Sequence, residues 1–320
     1  MTSAKADKPS RYLHAVVLVH ALIAVSACTI FPENRAAVHF RQGNELYQQQ
    51  DYRHAAEEYE KALALDPNLT PAYFFLGSSY ENQYNPSKRG ETGNDALLAK
   101  AVHNYGKAAE VEQDPKIKKL ALEYLVEAYG PDKLNEPAQA GPAVQRMIEL
   151  DPKNPLNYFA LAKIYEDEGD YERAEATLIQ ARQARPSDPS VYMQLTLYYG
   201  RRGDFDKTIE ALEARAEIEP NNPETYYTMA MHYWDRAYRG IRLPEEDKRR
   251  YVEAGVAAVD RAIALNSEYV EALVYKGLLL RLEADLEKNA VRQKALVDEA
   301  DELRDRAQEL RKQRAAGSIE

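Results

Sequence analysis

The sequence predicts an all-α chain built of stacked helical hairpins, and three observations carry that prediction. The stretch from Pro155 to Asn222 holds one pattern twice, at a period of 34 residues. Its apolar positions recur at helical spacing, and no strand-like alternation is evident. The composition, 45% hydrophobic and 29% charged with only 14 Gly in 320 residues, suits a helical array with much surface for its volume.

The first copy carries Tyr158, Leu161, Ala162 and Tyr165, then Gly169-Asp170-Tyr171, then Ala174, Leu178, Ala181 and Pro186. The second carries Tyr192, Leu195, Thr196 and Tyr199, then Gly203-Asp204-Phe205, then Thr208, Leu212, Arg215 and Pro220. Tyr158, Leu161, Ala162 and Tyr165 make one apolar stripe on a first helix. Gly169 accepts a left-handed backbone at little cost, and Asp170 caps the helix that follows. Ala174, Leu178 and Ala181 form a second stripe facing back onto the first. Alanine there lets the two axes approach closely, and a larger side chain would overpack the contact. Pro186 and Pro189 stop one hairpin and start the next. One hairpin cannot bury its apolar face alone, so neighbours must stack.

This pattern resembles the tetratricopeptide repeat. The resemblance implies a right-handed α-solenoid of about six to seven helical hairpins with a long C-terminal capping helix. It also implies that the first helices line a concave groove able to hold a segment of a protein or peptide partner.

Taken in order, the chain opens with Lys5, Lys8 and Arg11, followed by an apolar run from Tyr12 to Ala27. A basic start, a short apolar middle and a small-residue exit describe a secretory signal over residues 1–27. The run is short for a membrane span and contains His14 and His20. Its ending, Val25-Ser26-Ala27-Cys28, resembles the bacterial lipobox, which implies acylation of Cys28 after cleavage; the alternative is an ordinary signal followed by an unrelated cysteine. Several acyl chains, at about 0.8 kcal/mol per buried methylene, would anchor the protein firmly. Thr29, where an Asp would redirect sorting, favours by the same resemblance the periplasmic face of the outer membrane. Residues 28–35 then form a short tether.

The array is expected over residues 36–281, with repeats near 36–69, 70–115, 116–154, 155–188, 189–222, 223–269 and from 270 onward. The first has Gly43, Leu46, Asp51-Tyr52, Ala55, Tyr59, Ala62 and Pro67 in phase, with Gln50 where glycine is usual. The second has Tyr73, Leu76, Gly77 and Tyr80, but its Ala101, Tyr105 and Ala108 arrive about twelve residues late, after a loop expected from Asn85 to Asn94. The third is the least regular, and Pro142 is expected to kink or delay its second helix. The sixth starts with Tyr226, Met229, Ala230 and Tyr233 and resumes at Gly255, Val259 and Ala262. Between them a loop through Gly240 leads to Pro244-Glu245-Glu246-Asp247, a helix start with acids at the positive end of the dipole. The seventh has Ala272, Leu273, Gly277 and Leu280. Residues 282–314 are expected as one charged helix whose Leu296, Ala300, Leu303, Ala307 and Leu310 form a narrow apolar seam, serving either as a terminal cap or as a coiled-coil dimer arm. A tail occupies 315–320.

The formal charge of -10 and pI near 5.3 argue against a general nucleic-acid binder. One cysteine excludes an internal disulfide framework. His39, His54, His103 and His232 have no metal-ligand spacing, and no glycine-rich phosphate loop is present. No enzyme activity, cofactor or metal is therefore expected. On the repeat resemblance, the groove candidates are Phe40, Asn44, Tyr47, Phe74, Phe159, Lys163, Met193, Leu197, Tyr227, Met231 and Trp234, with Val274 at the equivalent place in the last repeat. Large apolar groups there either anchor a partner segment or pack on the next repeat. Arg236, Arg239 and Arg242, with Lys248, Arg249 and Arg250, form a candidate anion-binding patch unless Glu245, Glu246 and Asp247 neutralise it. In layout the chain resembles repeat lipoproteins that assist outer-membrane protein assembly, pilus secretin assembly or peptidoglycan hydrolase control. The expected role is a membrane-anchored scaffold or adaptor of the cell envelope, and the rival is a ligand-handling or enzyme accessory subunit.

Overall fold

The computed structural model describes residues 32–317. The signal expected over 1–27, Cys28, Thr29, the start of the tether and the last three residues of the tail lie outside them. Among the described residues there are fourteen α-helices, one short 3₁₀ turn and no strand. Between Pro152 and Lys153 the chain divides into two compact units.

The first unit contains three hairpins: α1 (Pro32–Gln48) with α2 (Tyr52–Leu65), α3 (Pro71–Gln83) with α4 (Thr92–Val111), and α5 (Pro115–Ala128) with α6 (Pro137–Leu150). The second contains four: α7 (Pro155–Asp167) with α8 (Tyr171–Ala184), α9 (Pro189–Arg202) with α10 (Phe205–Ile218), α11 (Pro223–Arg239) with α12 (Glu245–Leu265), and α13 (Val270–Leu286) with α14 (Ala290–Ala315). Within each unit every helix packs on the next in sequence, as stacked hairpins require.

The repeat punctuation acts as its chemistry dictates. Asp51, Asp170 and Asp204 each accept the backbone N–H three residues on, capping α2, α8 and α10. Asn154, Asp188 and Asn222 cap α7, α9 and α11, each ahead of a proline at the first helical position. Gly169 and Gly203 take φ of 79° and 70° to turn each hairpin. In the first repeat Gln50 holds the same left-handed conformation, at φ 61°, without the freedom of glycine.

The first two hairpins of the first unit close through a glycine-on-tyrosine contact. A Cβ on Gly43 would lie 2.7 Å from the ring of Tyr59, and one on Gly77 would lie 2.8 Å from that of Tyr105. Both rings are fully buried. The insertion in the second repeat therefore leaves the interior contact in place.

Several boundaries differ from the expected ones. α1 begins at Pro32, so the last four residues assigned to the tether are helical. The loop expected from Asn85 to Asn94 contains the 3₁₀ turn Pro86–Lys88 and ends at Thr92. Asn94 is buried in the first turn of α4, where its side chain accepts from the Asn85 N–H and donates to the Asn85 and Lys88 carbonyls, locking the insertion shut. Pro142 does not delay α6; it sits in the second turn, where the bond it forgoes would have gone to the carbonyl at the start of the helix.

The sixth hairpin has the loop through Gly240 and the lengthened second helix that the sequence implies. The single charged helix expected over 282–314 is broken. α13 runs to Leu286, and Asn289 caps a separate α14 by accepting from the Val291 and Arg292 N–H groups. The seam on α14 is used within the chain: Ala307, Leu310 and Leu303 pack with Val270 and Leu273 of α13, and Ala300 is buried. α14 is thus the closing helix of the last hairpin. The tail begins after Ala315, one residue later than expected.

Candidate protein-binding surface

The groove candidates of the first unit are engaged by their own neighbours. Phe40 stands 5.8 Å from Tyr59 and 6.0 Å from Phe75, ring centre to centre. Phe74 is only 8% exposed and packs on Tyr105 and Tyr124. The Tyr47 hydroxyl lies 2.7 Å from Ser78 Oγ, and its ring meets Phe75 and Tyr52. Asn44 accepts the Tyr59 hydroxyl at 2.8 Å. Phe74 is buried, whereas Phe40, Asn44 and Tyr47 are half-buried while they tie contacts within and between the first hairpins. The stacking of Phe75, at the adjacent helical position, on Tyr59 completes that aromatic interior.

In the second unit the same positions are half-buried or exposed. Phe159 is half-buried, and Lys163 pairs with Asp167 one turn on, at the surface. Met193 is half-buried with its sulfur 3.6 Å from Arg215 Nη1. Leu197 is 45% exposed. Val274 turns away, packing toward α14.

On α11 an apolar stripe runs Tyr227, Met231, Trp234 and Tyr238, with Ile241 just beyond the helix. Tyr275 of α13 stands beside it. Trp234 meets Tyr275 edge-on at 5.6 Å and stacks on Tyr238 at 4.9 Å with an interplanar angle of 10°. Tyr227 contacts Tyr275 at 5.4 Å and Tyr269 at 5.2 Å. The strip is open at one end, where Tyr238 is 59% and Ile241 86% exposed. Burial, then Tyr227 and the carboxylates of Glu224 and Glu271, push the Tyr269 phenol up to about 12. Burial, Tyr275 and Glu271 raise Tyr227 as well.

Tyr238 and Ile241 were recoverable from sequence, because 227, 231, 234, 238 and 241 follow the four-three spacing of one helix face. Tyr269 and Tyr275 were not, since their approach to α11 crosses the sixth-repeat insertion.

The arginine patch does not form an open cluster. Arg239 pairs with Asp235 at 2.6 Å, and Arg236 lies over the rings of Phe205 and Tyr251. Arg249 and Arg250 pair with Glu245 and Asp247. Arg242 makes no ion pair among the described residues. The predicted neutralisation by the acids of α12 is realised for Arg249 and Arg250.

A cleft of about 230 Å³ lies beside α9, lined by Glu175, Arg182, Tyr199 and Lys207 among others. Its polar walls hold one another: Lys207 Nζ and the Tyr199 hydroxyl both reach Glu175 Oε1, at 2.7 and 2.9 Å. Among the described residues no group of three or more His, Cys, Asp or Glu gathers as a metal site.

Stacked helical hairpins of this period, with small residues at the interhelical contacts, define a helical-repeat protein. Residues 36–69 and 133–196 match family models of the tetratricopeptide repeat. Among solved structures, the C-terminal part of a TPR repeat-containing protein from Cytophaga hutchinsonii aligns at 16% identity and a TM-score of 0.50, over 82% of this chain and 95% of that one. It shares the fold. MamA aligns at 21% identity and 0.41, over 58% and 92% of the two chains. YrrB, described as a TPR protein with an unusual peptide-binding site, aligns at 20% identity and 0.37, over 57% and 85%. No curated protein matches the chain.

Proposed function

We propose that this chain is a protein–protein interaction scaffold held at the bacterial cell envelope by acylation of Cys28, and that it takes a partner segment on the first helices of its second unit. The observation that carries the binding reading is the partly exposed aromatic strip of Tyr227, Trp234, Tyr238 and Tyr275. Large rings that offer contact area at low entropic cost favour recognition of another chain, and surrounding groups then exclude water. Leu197 extends the apolar surface onto the preceding repeat. The envelope reading is supported by the sequence of residues 5–28 and by Thr29, which favours the periplasmic face of the outer membrane. No helix among the described residues is long and apolar enough to cross a membrane.

Two measurements test the halves separately. A photo-crosslinking residue at Leu197 should give discrete protein adducts in the envelope, whereas the same probe at Glu213, exposed on α10, should not. Equal labelling from both positions would refute the groove. Cys28→Ala should leave the chain folded but absent from the membrane as a processed, acylated form; unchanged lipid labelling would refute the anchor.

A further inference from the structure

Two joints of the second unit repeat the same positions 34 residues apart, yet they are not tied alike. Between the fourth and fifth hairpins, polar side chains cross from one to the other. Arg201 donates to both carboxylate oxygens of Glu166, at 2.7 Å each. The Tyr198 hydroxyl donates to the Tyr171 carbonyl at 2.7 Å, and Glu175 accepts from the Tyr199 hydroxyl and from Lys207 Nζ. Between the fifth and sixth hairpins the matching residues cannot form these ties. Gly200 stands in the place of Glu166, Asp235 in that of Arg201, His232 in that of Tyr198 and Ile209 in that of Glu175.

The ring of His232, shorter than that of Tyr198, borders a cavity of about 110 Å³ walled also by Gly200, Phe205, Thr208, Asp235 and Arg236. Neither ring nitrogen has a hydrogen-bond partner among the described residues. Of the charged groups on the walls, Asp235 is held by Arg239 at 2.6 Å, and Arg236 lies over Phe205 and Tyr251. Next along the chain, Arg201 is bound to Glu166, Arg202 lies over Tyr171, and Asp204 caps α10 with Lys207 Nζ 3.9 Å away. Asp235 favours a proton on His232, and burial outweighs it. What remains across the joint is mainly apolar: Phe205 against Tyr233 and Tyr251, and Ile209, Leu212 and Met229 in one cluster. Arg261 reaches the Pro220 carbonyl at 3.3 Å, and Arg215 stays 3.7 Å from Glu224.

We propose that the joint between the fifth and sixth hairpins is a proton-released hinge: it stays closed while His232 is neutral, and protonation of that ring opens it, moving Leu197 on α9 relative to Met231 on α11. The hinge is independent of whether a partner occupies the groove. Opening admits water to the imidazole, so a proton that is costly in the closed joint loses that cost in the open one. Because burial holds the closed ring below its ordinary value of 6.5, opening gains as pH falls through 6.5 and levels off below the closed value. One pH unit below 6.5, the opening equilibrium gains up to about ten-fold.

Thr208, 1% exposed on the cavity wall, offers the probe position, and Ala174, fully buried, is its match in the earlier joint. Thr208→Cys and Ala174→Cys are made separately in the full-length chain, and attack by a small thiol reagent is followed by peptide mass, which keeps Cys28 apart. Each rate is taken relative to the urea-unfolded chain at the same pH. Position 208 should label faster than position 174, and its relative rate should rise by up to about ten-fold between about pH 7.5 and about pH 5.5. His232→Gln should abolish that rise. His232→Tyr should restore the bond that Tyr198 makes, here to the Phe205 carbonyl, and slow labelling by about two- to ten-fold at both pH values, with helical circular dichroism unchanged. Equal labelling at positions 174 and 208 would mean that the whole unit unfolds rather than the joint, and overturns the proposal. A rate at position 208 that is flat with pH, or a rise that survives in His232→Gln, overturns it as well.

Discussion

Gly43→Ala isolates the contact that closes the first hairpin. In a helix interior the change by itself favours folding by about 0.8–1.0 kcal/mol, since alanine is the better helix former. Here the new methyl would sit 2.7 Å from Cε1 and 2.8 Å from Cδ1 of Tyr59. That ring has nowhere to retreat: it is fully buried, stacks near Phe75, and is held by its hydroxyl on Asn44. Overpacking of this kind costs about 1–3 kcal/mol, so the net effect should be a loss of up to about 2 kcal/mol. The fourth repeat suggests the rescue, because the same two positions hold Ala162 and Leu178, both buried. Tyr59→Leu alone should cost about 2–4 kcal/mol through lost ring contacts and the lost Asn44 bond. In the double variant the alanine methyl occupies part of the space vacated by the ring, so the two losses should fall short of their sum by about 1–2 kcal/mol. Urea unfolding followed by far-ultraviolet circular dichroism measures the full cycle. A midpoint raised by Gly43→Ala, or strictly additive losses, would refute the reasoning that volume is matched across this pair.

Gln50→Gly should raise stability by about 0.5–1 kcal/mol, because it relieves a left-handed backbone at φ 61°; the urea midpoint should rise. Ala174→Leu or Ala181→Leu should lower stability by about 1–3 kcal/mol, since both alanines are fully buried between helices, and an unchanged melting curve would mean the pairing of α7 and α8 is misread. Burial holds His232 below its ordinary value of 6.5, with Asp235 opposing. The unfolded chain therefore takes up this proton first, so stability should fall as pH drops through 6.5 and level off below the folded value. His232→Gln should flatten that segment of the stability–pH curve, and an identical slope in the variant would refute the assignment.

The helices were legible where residue type forces backbone conformation. The aspartates at 51, 170 and 204 and the prolines at 155, 189 and 223 act locally, so their effect needs no knowledge of the rest of the chain. The break between α13 and α14 was not legible, because Glu287-Lys288-Asn289 contains neither glycine nor proline. It is made instead by side chains folding onto backbone: Glu287 accepts the N–H groups of Lys288 and Asn289, and Asn289 then caps α14. The loop ending at Asn94 was misjudged for a related reason. Asparagine is common in turns, yet its amide here is buried and satisfied by the chain on both sides of the insertion.

The groove shows where periodicity stops being informative. Spacing places Phe40, Phe74, Phe159 and Tyr227 at one repeat position, but their surroundings differ between units. In the first, glycine opposite tyrosine brings a large ring into the first two hairpins, and Phe40 and Phe74 pack on those rings. In the second, the interior pairs are Ala162 with Leu178, Thr196 with Leu212 and Ala230 with Val259, all buried and none aromatic. There the rings of Tyr227, Trp234 and Tyr275 pack on one another, half-buried.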